Sequence, residues 1–591
     1  MQKNNAVKKS DSTKLKSIKN FKPKKTQKKP VSKRAEKKPS VPIKIIPIGG
    51  MGEIGKNCYL YEYKDDMIIV DCGMSFPDEE MPGVDIVIPD FSYILKNKDK
   101  IKGLLVTHGH EDHIGAIPYL LKHLNIPIYG TKLTLGLIES KLSEHNLLSS
   151  VKLVEIKPKD KISLGCFTVE FIHVNHSIPD AVALAITSPC GTVIHTGDFK
   201  IDTTPIDDKM IDLARLAELG HKGVLALLSD STNAERPGYT PSERIVGESF
   251  ANLFQKAGKD RIIVATFSSN IHRIQQIIDE AVRCKRKIAV SGRSMLNVVN
   301  IASEFGYLKI PNNTLVDIES INKYPKEQLV IITTGSQGEP LSALHRMAFG
   351  DHRQLAIIPG DMIIISATPI PGNEKLVSKV INELMKQGAR VVYEKMYDVH
   401  VSGHACQEEL KLILSLTKPK FFVPVHGEQK HLYKHAVIAE SMGINNKNIV
   451  ISNIGDVIEI TKKSIKIADT VPSGRVLVDG LGVGDVGSIV LRDRKHLAED
   501  GVIIVALAMD SVTKEVVSNP EIISRGFIYV RESEQLISEI TDVVYDSIEK
   551  CYLNGVRDYS AYKTKIRDAV SKFLYNKTKR SPMILPIILE V

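Results

Sequence analysis

The chain has 591 residues, of which 43% are hydrophobic and 25% charged, and a formal net charge of +10. That length accommodates roughly three to five domains and a large core, and the balance excludes a wholly disordered, collagen-like or membrane-embedded chain. No run approaches the roughly 18–20 uninterrupted apolar residues that span a bilayer, so no membrane partner is expected. Seven cysteines (Cys58, Cys72, Cys166, Cys190, Cys284, Cys406 and Cys551) lie scattered without a CxxC pair. They read as free thiols in a reducing compartment, and the N-terminus lacks the apolar segment of a secretory signal, so a cytoplasmic protein is expected.

The charge is uneven. Residues 1–40 hold fifteen Lys/Arg against Asp11 and Glu36, a net of +13, which leaves −3 for the remaining 551 residues. This segment is poor in large apolar side chains and is expected to be disordered. Two roles stay open for it: an arm that attracts polyanions by counterion release, or a solubilising extension. The slightly acidic body must hold any nucleic acid through local patches.

From Ile43 the pattern changes to short β-branched runs punctuated by Gly. IKIIPIGG, YLYEY, MIIVDCG and GLLVTHGH predict strands ending in loops, and IGAIPYLLKHL predicts a helix. PIYG, VKLVEI, FTVEFIHVNH, AVALAITS, GTVIHTGD and VLALLSD predict a second set of strands. From Ser242 strands and helices alternate through SERIVGESFANLFQKAG, RIIVATF, HRIQQIIDEAVRC, KIAVSG, MLNVVNIASEFG and QLVIITTG, as in a parallel sheet with crossover helices. FFVPVHGE and the helical KHLYKHAVIAESMG follow. GVIIVALAM and FIYVR predict strands of a last unit that ends in two long amphipathic helices. The expected organisation is a basic tail at 1–40, a first sheet-rich part at 41–241, an α/β unit at 242–395, a return at 396–470, a linker at 471–486 and a C-terminal α/β domain at 487–591.

The densest chemistry is Thr107-His108-Gly109-His110-Glu111-Asp112-His113, directly after an apolar strand. Four potential ligands in six residues converge where a chain leaves a sheet, and neutral imidazoles with ionised carboxylates suit a metal near neutral pH. Asn175-His176-Ser177, His195-Thr196-Gly197-Asp198 and Val425-His426-Gly427-Glu428 also end predicted strands, so they can reach the same rim.

HGHEDH, with Asp71 in VDCG upstream and His176, Asp198 and His426 downstream, resembles the metallo-β-lactamase superfamily. The resemblance implies an αββα sandwich. It assigns His108, His110 and His176 to one metal and Asp112, His113 and His426 to a second, with Asp198 bridging and Asp71 orienting a ligand. His173 and His195 have ligand-like types but fall outside that pattern. The long separation of Asp198 from His426, filled by an α/β unit, resembles the β-CASP branch, which acts on nucleic acids. There Asp230 in LLSDSTNAE and His404 in HVSGH match the branch's acidic residue and its histidine, the implied donor of a proton to the leaving oxygen. Asp112 or Asp198 is the implied proton acceptor.

GGMGEIGKN, GMSFPDEEMPGVDIVIPD, NHSIPDA, HTGDFKID, SDSTNAERPG, TFSSNIHRIQQ and HVSGHACQEE narrow the likeness to the ribonuclease J family, from about Ile43 to Val591. This implies hydrolysis of single-stranded RNA, as a 5′-to-3′ exonuclease and an endonuclease, with two Zn2+ per subunit or Mn2+ in their place. It also implies a 5′-monophosphate pocket formed by His400, Val401, Ser402, Gly403 and His404 with Phe267, Ser268, Ser269 and Asn270. Gly335-Ser336-Gln337-Gly338 serves equally as a phosphate cradle or a strand-to-helix turn. Asp479 matches a position for an additional structural divalent ion, or is a turn residue. Homodimers or homotetramers are implied, as is association with an RNA helicase or the ribosome.

Overall fold

The computed structural model describes residues 41–339, 342–370, 373–528 and 534–591. The basic tail, expected to be disordered, lies outside the described residues. Two sheets stand face to face. One runs Ile465–Thr470, Asp456–Ile460, Ile43–Gly49, Cys58–Tyr63, Asp66–Val70, Ile101–Leu105, Ile128–Gly130, Leu153–Glu155. The other runs Phe421–Val425, Val224–Asp230, Gly191–His195, Val182–Ser188, Phe167–His173, Lys161–Leu164.

Strand periodicity explains how they meet, since alternate residues point to opposite faces. Tyr59 and Tyr61 join Phe167, Phe171 and Leu184 in the core between the sheets, while Leu60 belongs to the core on the opposite face. The amphipathic helices Leu213–Lys222 and Gln407–Thr417 cover the outer face of the second sheet through Leu216, Leu219, Leu410 and Ile413. These layers are the αββα sandwich implied above. IGAIPYLLKHL forms only the short helix Ile117–Leu121, with Pro118 in its first turn, directly after a one-turn helix Glu111–Ile114. Elements that went unforeseen include the helices Lys132–Glu144, Leu213–Lys222, Gln407–Thr417 and Ser488–Asp500 and the strands Lys161–Leu164, Asp456–Ile460, Ile465–Thr470 and Met583–Glu590.

Between Val224–Asp230 and Phe421–Val425 the chain builds a parallel sheet, ordered Lys287–Ser291, Leu329–Thr333, Ile262–Ala265, Met362–Ile365, Arg390–Val392. Its helices Arg244–Ala257, Ile271–Arg283 and Arg293–Glu304 bury apolar faces in a core shared with the first sheet. The segment 471–486, expected as a linker, instead contains the strand Arg475–Asp479, hydrogen-bonded antiparallel to Ile86–Pro89. Beyond it, Val502–Met509 pairs with Glu521–Arg525 and Met583–Glu590 under the helices Glu534–Leu553 and Tyr559–Thr578. The strand expected at FIYVR is not formed at Phe527 and Ile528, and its other residues lie outside the described ones; the pairing falls at Glu521–Arg525.

Candidate active site

The ligand candidates meet at the rim where strands of both sheets end. His108, His110, Asp112 and His113 follow Ile101–Leu105; Asp198 follows Gly191–His195; Asp230 ends Val224–Asp230; His426 follows Phe421–Val425. His426 at φ 53° and Asp71, which follows the neighbouring strand Asp66–Val70, at φ 59° hold left-handed backbone without being glycine. Such backbone strain collects where surrounding structure dictates a side chain's direction. Gly73 is required for another reason: a Cβ there would stand 1.6 Å from the Asp112 carbonyl oxygen.

The side chains form two groups that share Asp198: His108, His110 and His176, and Asp112, His113 and His426. In each, the candidate ligand atoms all lie within 4.8 Å of one another. Hydrogen bonding fixes which ring nitrogens carry lone pairs. The Gly403 carbonyl accepts from His176 Nδ1 at 2.8 Å, which leaves Nε2 unprotonated in the neutral ring. Thr107 Oγ1 donates to Asp71 Oδ2 at 2.9 Å, so His108 Nδ1 donates to Thr107 at 3.0 Å. His113 Nδ1 donates to Asp71 Oδ2 at 2.7 Å, while its Nε2 lies 3.2 Å from Asp198 and 3.6 Å from Asp112.

Lone pairs and carboxylates thus confront one another and call for positive charge between them. Burial holds His108 and His176 well below the usual imidazole value and His110 at about 4. Burial also opposes charge on His113 and His426, yet the Asp198 carboxylate and its neighbours outweigh it, raising His113 well above its ordinary value and His426 to about 10. Neutral imidazoles in one group and a demand for cationic charge in the other fit a pair of divalent ions.

His404 and Asp230 stand beside this centre. His404 Nδ1 lies 2.7 Å from Asp230 Oδ2, and although burial opposes its protonation, Asp230 raises its pKa above the ordinary value. A third group, Asp198, Asp230, His404 and His426, also brings ligand-type atoms together. The short imidazole–carboxylate hydrogen bond already uses the facing atoms of His404 and Asp230. Ser402 and Gly403 donate no backbone hydrogen bond among the described residues, and neither Ser268 nor Ser269 spends its hydroxyl. Gly403 must be glycine here, because a Cβ would meet the His176 ring at 2.7 Å. Phe267 places its ring 6.5 Å from His400, and Asn270 caps the helix Ile271–Arg283 by accepting from the Arg273 amide.

Other candidates fall elsewhere. His195 pairs with Tyr61 Oη at 2.9 Å, and His173 with the Lys209 carbonyl at 3.3 Å; neither joins a ligand group among the described residues. Gln337 spends its amide on Thr368 and Ile370, which accounts for the Gly335–Gly338 turn as a loop tie. Asp479 meets Arg494 at 2.5 Å and joins no ligand group among the described residues.

The sequence pattern did not single out Asn57, Asn233 or Arg273. The Asn57 amide reaches the Asp112 carbonyl at 3.2 Å and His113 Nε2 at 3.1 Å, and Asn233 donates to Ser402 Oγ and the His404 carbonyl. All three lie inside quoted motifs, but their residue types carry no chemical signature by themselves.

Comparison with known proteins agrees with this geometry. Residues 51–230 match the metallo-beta-lactamase superfamily, 259–384 the ribonuclease J beta-CASP domain, 388–450 a Zn-dependent metallo-hydrolase RNA specificity domain and 489–591 the ribonuclease J C-terminal domain. The chain is 46% identical to ribonuclease J2 of Bacillus subtilis (strain 168), covering 94% of this chain and 100% of that protein. It is also 46% identical to ribonuclease J of Thermus thermophilus, with 93% and 95% covered. A crystal structure of a protein of unknown function from Enterococcus faecalis V583 shares the fold at TM-score 0.50 and 17% identity, covering 71% of this chain and 100% of that one. Motifs, ligand geometry and likeness along the whole folded body agree, and the chain belongs to the ribonuclease J family.

Proposed function

We propose that this protein is a two-metal ribonuclease that degrades single-stranded RNA 5′ to 3′ from a 5′-monophosphate end and also cuts internally, in cytoplasmic RNA maturation and mRNA decay. Metal-dependent RNA hydrolysis follows from the family and from the ligand clusters. The observation that carries the rest is the pair of ligand groups sharing Asp198, with a carboxylate-held histidine beside them. His108, His110, His176 and Asp198 would hold one ion and Asp112, His113, His426 and Asp198 the other. The imidazole majority favours Zn2+, while the carboxylates leave Mn2+ competitive. When bound, such a pair offsets phosphate charge and lowers the pKa of water toward about 7.

The chain's own groups do the remaining work. Asp112 or Asp198 accepts the proton of the attacking water. His404, oriented through Nδ1 by Asp230, gives its proton to the departing 3′ oxygen. Asp71 holds His113 in the tautomer that leaves Nε2 free. The free amides of Ser402 and Gly403 and the hydroxyls of Ser268 and Ser269 support a pocket for a terminal phosphate, because exposed backbone N–H groups suit phosphate oxygens.

Among the described residues no helix is long and apolar enough to cross a membrane. In the C-terminal domain, Leu585, Ile587 and Leu589 lie exposed along the edge strand Met583–Glu590, which supports homodimers or homotetramers. An RNA helicase or the ribosome is the further partner implied by resemblance.

A product map on RNAs identical except for a 5′-monophosphate, 5′-triphosphate or 5′-hydroxyl tests this function. Mononucleotides released fastest from the monophosphate substrate are expected. Equal rates on all three would refute the pocket, and faster turnover of matched single-stranded DNA would refute the choice of RNA.

A further inference from the structure

Arg273 is a full charge with no solvent exposure, located in the first turn of the helix that follows the Phe267–Asn270 loop. Its donors are all engaged. Nε and Nη2 grip Glu243 at 2.8 and 3.1 Å, Nη1 reaches the Ser366 carbonyl at 2.9 Å and His400 Nδ1 at 2.8 Å, and Nη2 approaches the Val401 carbonyl at 3.5 Å. A buried guanidinium is tolerated only when paired and hydrogen-bonded to this degree. Glu243 is itself tied down, its amide donating to Asp202 at 3.2 Å and its carbonyl accepting from Gln276 at 2.9 Å. One cation therefore fastens the chain entering the inserted α/β unit, the helix behind the serine loop and the chain returning to the metal-bearing sheets.

The contact with His400 has a chemical consequence. A guanidinium only donates, so His400 Nδ1 must accept, and the neutral ring then carries its proton on Nε2. We propose that Arg273, braced by Glu243, is a positioning residue for the RNA 5′-phosphate: it fixes His400 as an Nε2–H donor and locks the Val401–Gly403 turn against the Phe267–Asn270 loop. This rests on the 5′-phosphate pocket proposed above. Lysine cannot replace it, because a single ammonium lacks the planar fork that spans Glu243, Ser366 and His400 together.

The test compares the unmodified enzyme with Arg273→Lys and with the charge-balanced Arg273→Met/Glu243→Gln, each purified and loaded with Mn2+. Three substrates are used: 5′-monophosphate RNA, 5′-hydroxyl RNA and a covalently closed circular RNA that has no 5′ end. Both variants are expected to raise KM for the monophosphate RNA by about 10- to 100-fold, the loss of one charge-assisted hydrogen bond. They should change kcat little and cut circular RNA within about twofold of the unmodified rate, since Arg273 bonds to none of the candidate metal ligands and a closed circle presents no 5′-phosphate to hold. In a His400→Ala background, Arg273→Lys should add less than it costs in the unmodified enzyme, the remainder coming from the loosened Val401–Gly403 turn.

A monophosphate-to-hydroxyl preference that survives in either variant overturns the role of Arg273 while the pocket stands. Equal losses on circular RNA overturn it too, by marking Arg273 as structural. No preference in the unmodified enzyme overturns the pocket and this inference together.

Discussion

Replacing Asp71 by Asn separates ligand orientation from folding. Asp71 is fully buried at φ 59°, a conformation in which Asn is also favoured, so backbone and shape are conserved. Its Oδ1 accepts from the Thr107 amide at 2.8 Å; its Oδ2 accepts from Thr107 Oγ1 at 2.9 Å and His113 Nδ1 at 2.7 Å. Asn can keep the first bond, but its NH2 group then faces two donors. The Thr107 hydroxyl must rotate away, and His113 must move its proton to Nε2 so that Nδ1 can accept. Nε2 is the nitrogen 3.2 Å from Asp198, so that proton occupies the direction in which a cation would bind. Loss of such an orienting partner costs about 10- to 100-fold in metal affinity, or about 1.4–2.8 kcal/mol. The loss should fall on the group containing Asp112, His113 and His426. His108, His110 and His176, which Asp71 reaches only through Thr107, should change within about threefold. Calorimetric titration of Zn2+ into chelator-stripped protein resolves the two sites, and circular dichroism checks the fold. Two unchanged affinities, or an equal fall in both with a lower Tm, would refute the reasoning.

Three further outcomes are expected. Asp112→Ala or His110→Ala should abolish cleavage while filter-binding affinity for RNA survives; joint loss of both would mean the residues are structural. His404→Ala should lower single-turnover rates by about 10²–10⁴-fold with KM nearly unchanged, and Asp230→Asn should shift rates in the same direction; full activity in either variant would remove the proton donor. Deleting residues 1–40 should weaken RNA binding and flatten its salt dependence, by about 0.7 in slope for each phosphate that the tail had neutralised; an unchanged slope would favour a solubilising tail.

The clustering of the candidate ligands was legible in sequence because HGHEDH packs its ligand types into one turn and the other candidates sit at the ends of apolar strands. The unforeseen elements were hidden for different reasons. Lys132–Glu144 buries residues around much of its circumference, Leu133, Thr134, Leu135, Gly136, Leu137 and Ile138 in succession, so it lacks one apolar face. Lys161–Leu164 is an edge strand with a single fully buried residue, Leu164. In the linker segment, Arg475–Asp479 becomes a strand only because Ile86–Pro89, about 390 residues earlier, offers it an edge, a partner no local pattern contains. The partner of Asp479 was hidden in the same way, since Arg494 lies one helix further on and outside any motif around Asp479.

The long insertion between ligands is no obstacle to the site, and the sheet order says why. His426 stands 3.3 Å from Asp230 although 196 residues separate them. Val224–Asp230 and Phe421–Val425 are adjacent parallel strands, with Asp230 registered opposite Val425. The chain therefore leaves and re-enters at the same height on the same rim, so the inserted unit can be large without disturbing the spacing of Asp198, Asp230 and His426. Its ends therefore lie beside the ligand groups. Gly403, on the returning segment, accepts from His176 on the first part, so one hydrogen bond joins a candidate ligand to the Val401–Gly403 turn. The HVSGH turn and the candidate ligand groups share a rim because the topology brings both segments back to it.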